Sequence, residues 1–134
     1  MKLILCLDDK KGMMFNRRRQ SRDSLLIKDL VSTCQEEPLF IAPYSTLLFQ
    51  ETPVQIQVVD DPLAAAKTKG ICFLEGPLPK EYEDQIDLLI LYHWNRHYPA
   101  DVWFTMQMDG FTLMESSEFA GSSHEKITKE VWRK

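Results

Sequence analysis

The sequence predicts an α/β fold: a three-layer domain with a mostly parallel central sheet, helices on both faces and an antiparallel C-terminal hairpin. That expectation rests first on two continuous apolar runs of strand length, Lys2–Leu7 and Ile86–Tyr92, which suit strands covered on both faces. Short helix signals fall between successive strand signals. The tail alternates around turn signals, as antiparallel strands do. At 134 residues the chain fits one domain, residues 1–134, large enough to bury a core of its own.

Lys2–Leu7 is the first strand and residues 9–12 a turn. In residues 23–34 the apolar positions Leu26, Ile27, Leu30 and Val31 keep the spacing of an amphipathic helix. Ser21 or Asp23 would cap it, with a negative side chain near the positive end of the helix dipole. Residues 38–42 read as a short strand, and Pro43 suits the first turn of a brief helix through Phe49. Val54–Val59 alternates as a strand with one polar face. Asp60-Asp61-Pro62 opens a short helix over residues 63–67. Residues 70–74 form another buried strand, a helical turn follows around residues 80–84, and Ile86–Tyr92 is the most central strand after the first. Residues 102–108, 111–119 and 125–132 read as strands around Asp109-Gly110 and Gly121-Ser122. Asp109-Gly110 is the clearest hairpin signal in the chain.

Composition narrows the function classes. The formal net charge is −4 and the charged fraction 27%, which argues against general nucleic-acid binding. No run approaches the roughly 18 apolar residues of a membrane helix. The apolar start is too short for a signal peptide, so a cytoplasmic location is expected. Cys6, Cys34 and Cys72 are odd in number and set among apolar neighbours, as buried free thiols are. Neither a nucleotide-phosphate loop nor a Gly-x-Ser-x-Gly elbow is present.

Two segments stand out chemically. Asn16-Arg17-Arg18-Arg19-Gln20-Ser21-Arg22-Asp23 holds four of the sixteen basic residues of an acidic chain, which points to a local anion site. His93-Trp94-Asn95-Arg96-His97-Tyr98-Pro99-Ala100-Asp101 packs histidines, aromatics and an arginine into nine positions. His93 and His97 lie on a strand and loop, where their spacing shares no face, so no metal is expected. His124 reads as a surface or cap residue, and Trp94 and Trp103 as core or edge fillers.

The element order and several short motifs resemble dihydrofolate reductase. Gly12-Met13 stands at that family's mobile first loop. Asp23-Ser24-Leu25-Leu26-Ile27-Lys28 looks like its Asp-x-x-x-Phe-Lys, and Tyr44-Ser45-Thr46 sits at its Gly-Arg-x-Thr turn. Glu75-Gly76 stands at its Gly-Gly turn. Leu78-Pro79-Lys80 through Leu91-Tyr92-His93 is similar to its Leu-Pro-Lys segment and Leu-Thr-His strand, and residues 101–104 lie at its Gly-Asp-Thr-x-Phe. The resemblance implies the fold, an Asp23 that binds a pterin, and Thr46 and Gly76 as contacts to NADPH. It also implies that the loops at 12–23 and 93–103 are neighbours, with Asp101 accepting backbone N–H groups of the first.

Three departures bear on the cofactor. Glu75 places a negative side chain where a dinucleotide pyrophosphate would approach, Tyr44 replaces an arginine, and the segment between Phe49 and Val54 is short. The leading expectation is a non-standard member of this fold binding a small anionic or heteroaromatic ligand between the two loops. Arg17, Arg19, Arg22 and Arg96 would offer forked donors, Trp94 and Tyr98 stacking faces, and Asn16, Asn95, His97 and Asp101 the remaining polar groups. Asp23 would be a helix cap, or would pair with an amidine-like edge or move a proton. The alternatives are an NADPH-dependent reductase with a modified cofactor site, and an interaction protein docking an acidic partner or RNA through the arginines.

Overall fold

The computed structural model describes residues 1–50 and 55–134. Its strands are β1 (Lys2–Leu7), β2 (Gly12–Phe15), β3 (Arg18–Arg19), β4 (Leu39–Ile41), β5 (Ile56–Val58), β6 (Ile71–Phe73), β7 (Leu88–His93), β8 (Val102–Trp103), β9 (Thr112–Phe119) and β10 (Ile127–Arg133). The helices are α1 (Ser24–Cys34) and α2 (Pro62–Ala65), with 3-10 helices at Pro43–Phe49 and Lys80–Gln85. Val54, where the sequence starts the strand observed as β5, lies outside the described residues.

The main sheet has seven strands in the order β5-β4-β6-β1-β7-β10-β9. β1 is parallel to both neighbours, and β10 is antiparallel to β7 and β9. The alternation of β1 explains the three layers, because successive side chains leave a strand on opposite faces. Leu3, Leu5 and Leu7 enter the core shared with Leu63 of α2 and with Ala66 just beyond it. Ile4 enters the core shared with Leu26, Leu30 and Cys34 of α1. Leu26 and Leu30 have no exposed surface, and burial of each contributes roughly 1.5–3 kcal/mol.

One expected strand forms only at its start. Residues 102–108 pair only over Val102–Trp103. Beyond them Phe104 and Met106 are buried while Thr105 and Gln107 are exposed, so the alternation packs an extended chain onto the core without a ladder. The Asp109-Gly110 turn forms, with Gly110 at φ 86° and the Phe111 amide donating to the Met108 carbonyl, but it joins no strand pair. The antiparallel hairpin is β9–β10, closed through residues 120–126. Trp103 is largely exposed and fills no core.

The sequence reading treats residues 12–23 as one loop, whereas the structure builds a second sheet there, β3-β2-β8. Asn16 and Arg17 both take positive φ, 52° and 61°, the backbone of a two-residue hairpin turn of the type that matches strand twist. β2 also pairs with β8 through Gly12↔Trp103 and Met14↔Val102. A Cβ on Gly12 would lie 2.6 Å from Asp8 Oδ2 and 2.8 Å from Ala100 Cβ. Glycine is what lets the two loops close on each other.

Candidate functional site

The first loop and the second meet along their backbones. Asp101 Oδ2 accepts from the Asn16 amide at 3.0 Å, and the Asp101 amide donates to the Met14 carbonyl. The Asp9 amide donates to the Arg96 carbonyl, and Gln20 Nε2 to the Pro99 carbonyl. Asp8, itself buried, accepts from the Gly12 amide at 2.6 Å, the Lys10 amide and Gln20 Nε2. Burial pushes its carboxyl upward, but the Gly12, Lys10 and Gln20 hydrogen bonds outweigh that and leave it below the usual carboxylate range.

The enclosed cleft lies on the other side of the first loop. It is walled by Arg19–Asp23, by Leu26 and Ile27 of α1, by Leu48 and by Phe73–Glu75 at the end of β6. Of the second segment, Trp94 lines it, while Asn95, Arg96, His97, Tyr98 and Asp101 do not. An open groove does remain between the two loops, between Phe15, Asn16 and Arg18 on one side and Tyr98 and Pro99 on the other. The cleft's narrow end holds about 20 Å³, room for a water or two. A wider, open pocket of about 280 Å³ adjoins it, sharing Arg22, Asp23, Ile27 and Leu48 and reaching Ser24, Leu47, Ser122 and Ser123.

Asp23 is the N-cap of α1, and its side chain is wholly buried. Oδ1 accepts from the amides of Leu25, Leu26 and Ser122 and from Ser122 Oγ at 2.8–3.1 Å. Oδ2 accepts from the Ser123 amide at 2.8 Å and meets His124 Nδ1 at 3.0 Å. These donors fill the roughly four lone-pair sites of a carboxylate, leaving none for an amidine edge. Burial raises the Asp23 pKa, but the bonds from Ser122, Ser123, His124 and Leu26 outweigh it and hold the carboxyl well below the usual range. A Cβ on Gly121 would stand 2.3 Å from Asp23 Oδ2, so glycine there lets the turn close over the carboxylate.

His124, expected as a surface or cap residue, is 4% exposed and so not at the surface. Its ring stacks on Trp94 with centroids 4.6 Å apart, and its Nε2 lies 2.9 Å from Tyr98 Oη and 3.2 Å from Ser21 Oγ. The correction has a physical reason: His124 closes the turn that carries the amides to Asp23, and that turn sits against the end of α1. Sequence reasoning missed this because residues 23 and 124 are about a hundred positions apart.

A second carboxylate of the cleft, Glu75, is half-buried, with its side chain 10% exposed. Arg19 grips it in a fork, Nε to Oε2 at 2.8 Å and an Nη to Oε1 at 3.0 Å, and Ser45 Oγ donates to it at 2.8 Å. The same guanidinium donates to the Tyr44 carbonyl and lies 4.4 Å from the Tyr44 ring centroid. Thr46 Oγ1 donates to the Pro43 carbonyl at 2.7 Å, and Gly76 is buried. Where the resemblance puts the dinucleotide, the chain's own ion pair spans the space, and the residues present do not fit NADPH.

Elsewhere, Arg17 is exposed at its hairpin turn. Asn95 Nδ2 donates to the Lys126 carbonyl and Thr128 Oγ1, Arg96 and His97 are exposed, and His93 Nε2 lies 2.6 Å from Glu130. Burial pushes the Cys34 and Cys72 thiols up to about 12.

No family model matches the sequence, and no curated protein matches it. Among solved structures, dihydrofolate reductase from Enterococcus faecalis, complexed with NADP(H) and RAB-propyl, superposes with a TM-score of 0.70 over 98% of this chain and 94% of that one. The architecture is thus that of the dihydrofolate reductase fold. Sequence identity is 11%, so the likeness is one of fold.

Proposed function

We propose that this domain binds a small anionic or heteroaromatic molecule in the cleft beside α1. The observation that carries the reading is the contrast between its arginines. Arg19 is neutralised by Glu75, whereas Arg22 is exposed, lines both the narrow and the wide parts of the cleft, and joins no ion pair among the described residues. A guanidinium there offers forked donors to phosphate or carboxylate. Ser24, Ser122 and Ser123 add polar groups, and Ile27, Leu47 and Leu48 an apolar flank for a flat ring.

Thermal denaturation with pterins, nucleotides and phosphorylated metabolites tests it, because a ligand that binds the folded state raises its midpoint. At least one of these raises the midpoint, and Arg22→Ala removes the shift without lowering the unliganded midpoint. No shift with any of them overturns the reading.

A further inference from the structure

We propose that Ser21, His124 and Asp23 form a nucleophile–base–carboxylate line that hydrolyses small acyl esters at the narrow end of the cleft. The proposal rests on the cleft reading above and adds a reaction to it. Three contacts carry it: Asp23 Oδ2 to His124 Nδ1 at 3.0 Å, His124 Nε2 to Ser21 Oγ at 3.2 Å, and the position of Ser21 on the cleft wall. A serine within reach of an imidazole that a buried carboxylate orients is the arrangement that activates a hydroxyl, and it is recognised by geometry, not by sequence order. The absence of a Gly-x-Ser-x-Gly elbow therefore carries no weight.

The tautomer follows from the contacts. An ionised Asp23 Oδ2 is an acceptor only, so Nδ1 bears a proton, and in the neutral imidazole Nε2 is left with the lone pair. The side chains of Asp23 and His124 are 0% and 1% exposed, and Trp94 stacked on the ring fixes its plane. Ser21, by contrast, is half-buried and lines the cleft.

The Ser21 hydroxyl proton moves to Nε2 as Oγ bonds to the ester carbonyl carbon. The ester C–O bond then breaks, and the leaving alkoxide takes that proton from Nε2. Water next attacks the acyl-serine by the same route, giving a carboxylic acid and regenerating Ser21. Tyr98 Oη, at 2.9 Å from Nε2, is a second donor to the lone pair at rest. Once Nε2 is protonated the same oxygen accepts from it, because a hydroxyl does both. The narrow end, with room for a water or two, takes at most the carbonyl oxygen and methyl of an acetyl group, and the leaving alcohol lies past Arg22 toward the adjoining pocket. The substrate class is thus a small acyl ester of an anionic alcohol.

The test uses p-nitrophenyl acetate with the whole chain. The expected result is a burst of about one equivalent of p-nitrophenolate per chain, with acetyl mapped by mass spectrometry to Ser21. Ser21→Ala loses both while still unfolding cooperatively, with a midpoint lowered by no more than the few degrees that one hydrogen bond is worth. Asp23 acts as a positioning residue, so Asp23→Asn slows acylation roughly 10³-fold or more at neutral pH, and the rate recovers with rising pH, which a purely structural role would not produce. A folded chain that takes no acetyl on Ser21, or an equal burst from Ser21→Ala, overturns the proposal. If ligands still raise the midpoint in that case, the hydrolytic line fails and the cleft reading stands. If Ser21 acylates while no ligand shifts the midpoint, the cleft reading fails instead.

Discussion

Asp23 and Glu75 are carboxylates on opposite walls of one cleft, both withdrawn from water, and the chain satisfies them by different means. Asp23 is held by backbone amides and a histidine. Those donors belong to a helix end and a tight turn, so they cannot leave without unfolding something. Glu75 is held by one flexible guanidinium and one serine hydroxyl. Its partner can in principle rotate away. One wall is built as a fixed frame and the other as an ion-pair latch, and the difference ranks what substitution should do to each.

The largest effect belongs to the fixed wall. Asp23→Ala strands several buried donors, each costing about 1–3 kcal/mol when unsatisfied, and also removes a helix cap. The expected loss is about 4 kcal/mol or more, measured as a fall in the urea midpoint at unchanged slope. A loss under about 1 kcal/mol would place Asp23 in water and erase the contrast.

On the latch side, Arg19→Met leaves Glu75 as a nearly buried charge without its partner, which costs about 3 kcal/mol. Replacing both ends, Arg19→Met with Glu75→Gln, is expected to recover most of that, since a well-packed neutral pair can match a buried ion pair. A double-mutant cycle reads the coupling directly. Additive losses would show that the two side chains do not depend on each other.

Acid separates the walls without mutation. The folded-state pKa of Asp23 is depressed, so its contribution is present above the ordinary carboxylate range and is lost as pH falls below about 4. Asp8 is shifted in the same direction and adds to the slope. The melting midpoint is expected to fall through that window, and to fall less steeply in Asp23→Asn. Parallel profiles for the two proteins would show that other groups set the acid limit.

The frame of this fold was legible in the sequence because its signals are local. Two apolar runs marked β1 and β7, and Asp23 followed by the 3,4-spaced apolar residues Leu26, Ile27, Leu30 and Val31 marked α1. Pro43 and Asp61-Pro62 marked short helices where helices begin. What stayed hidden depends on partners distant in the chain. The hairpin at Asn16-Arg17 has the backbone that Asn-Gly would advertise, but with arginine in the second place. Residues 104–108 alternate like a strand because one side faces the core, and alternation says nothing about whether a neighbouring strand is available. The enclosed cleft is hidden for the same reason: the two marked loops meet, drawn close at Gly12 with an open groove between them, and a further space opens behind the first of them. Arg19 and Glu75 were each visible, one as a possible anion donor and one as a departure at a cofactor turn. That they neutralise each other could be seen only in three dimensions.

The smallest effect tests how much of the fixed wall depends on its outermost member. Tyr98 Oη and Ser21 Oγ both approach His124 Nε2, so one lone pair has two candidate donors. Tyr98→Phe removes the nearer hydroxyl and keeps the ring, which meets His124 edge-on at a centroid distance of 6.3 Å. Because Ser21 remains to satisfy the nitrogen, no buried acceptor is orphaned, and the loss should be that of one ordinary hydrogen bond, about 1 kcal/mol. Ser21→Ala alone should cost about as little, for the mirror-image reason. The double variant leaves Nε2 without either hydroxyl and should cost more than the sum, by about 1 kcal/mol. Simple additivity in chemical denaturation would mean that the two hydroxyls do not share the lone pair, and that the imidazole is held by Asp23 and Trp94 alone.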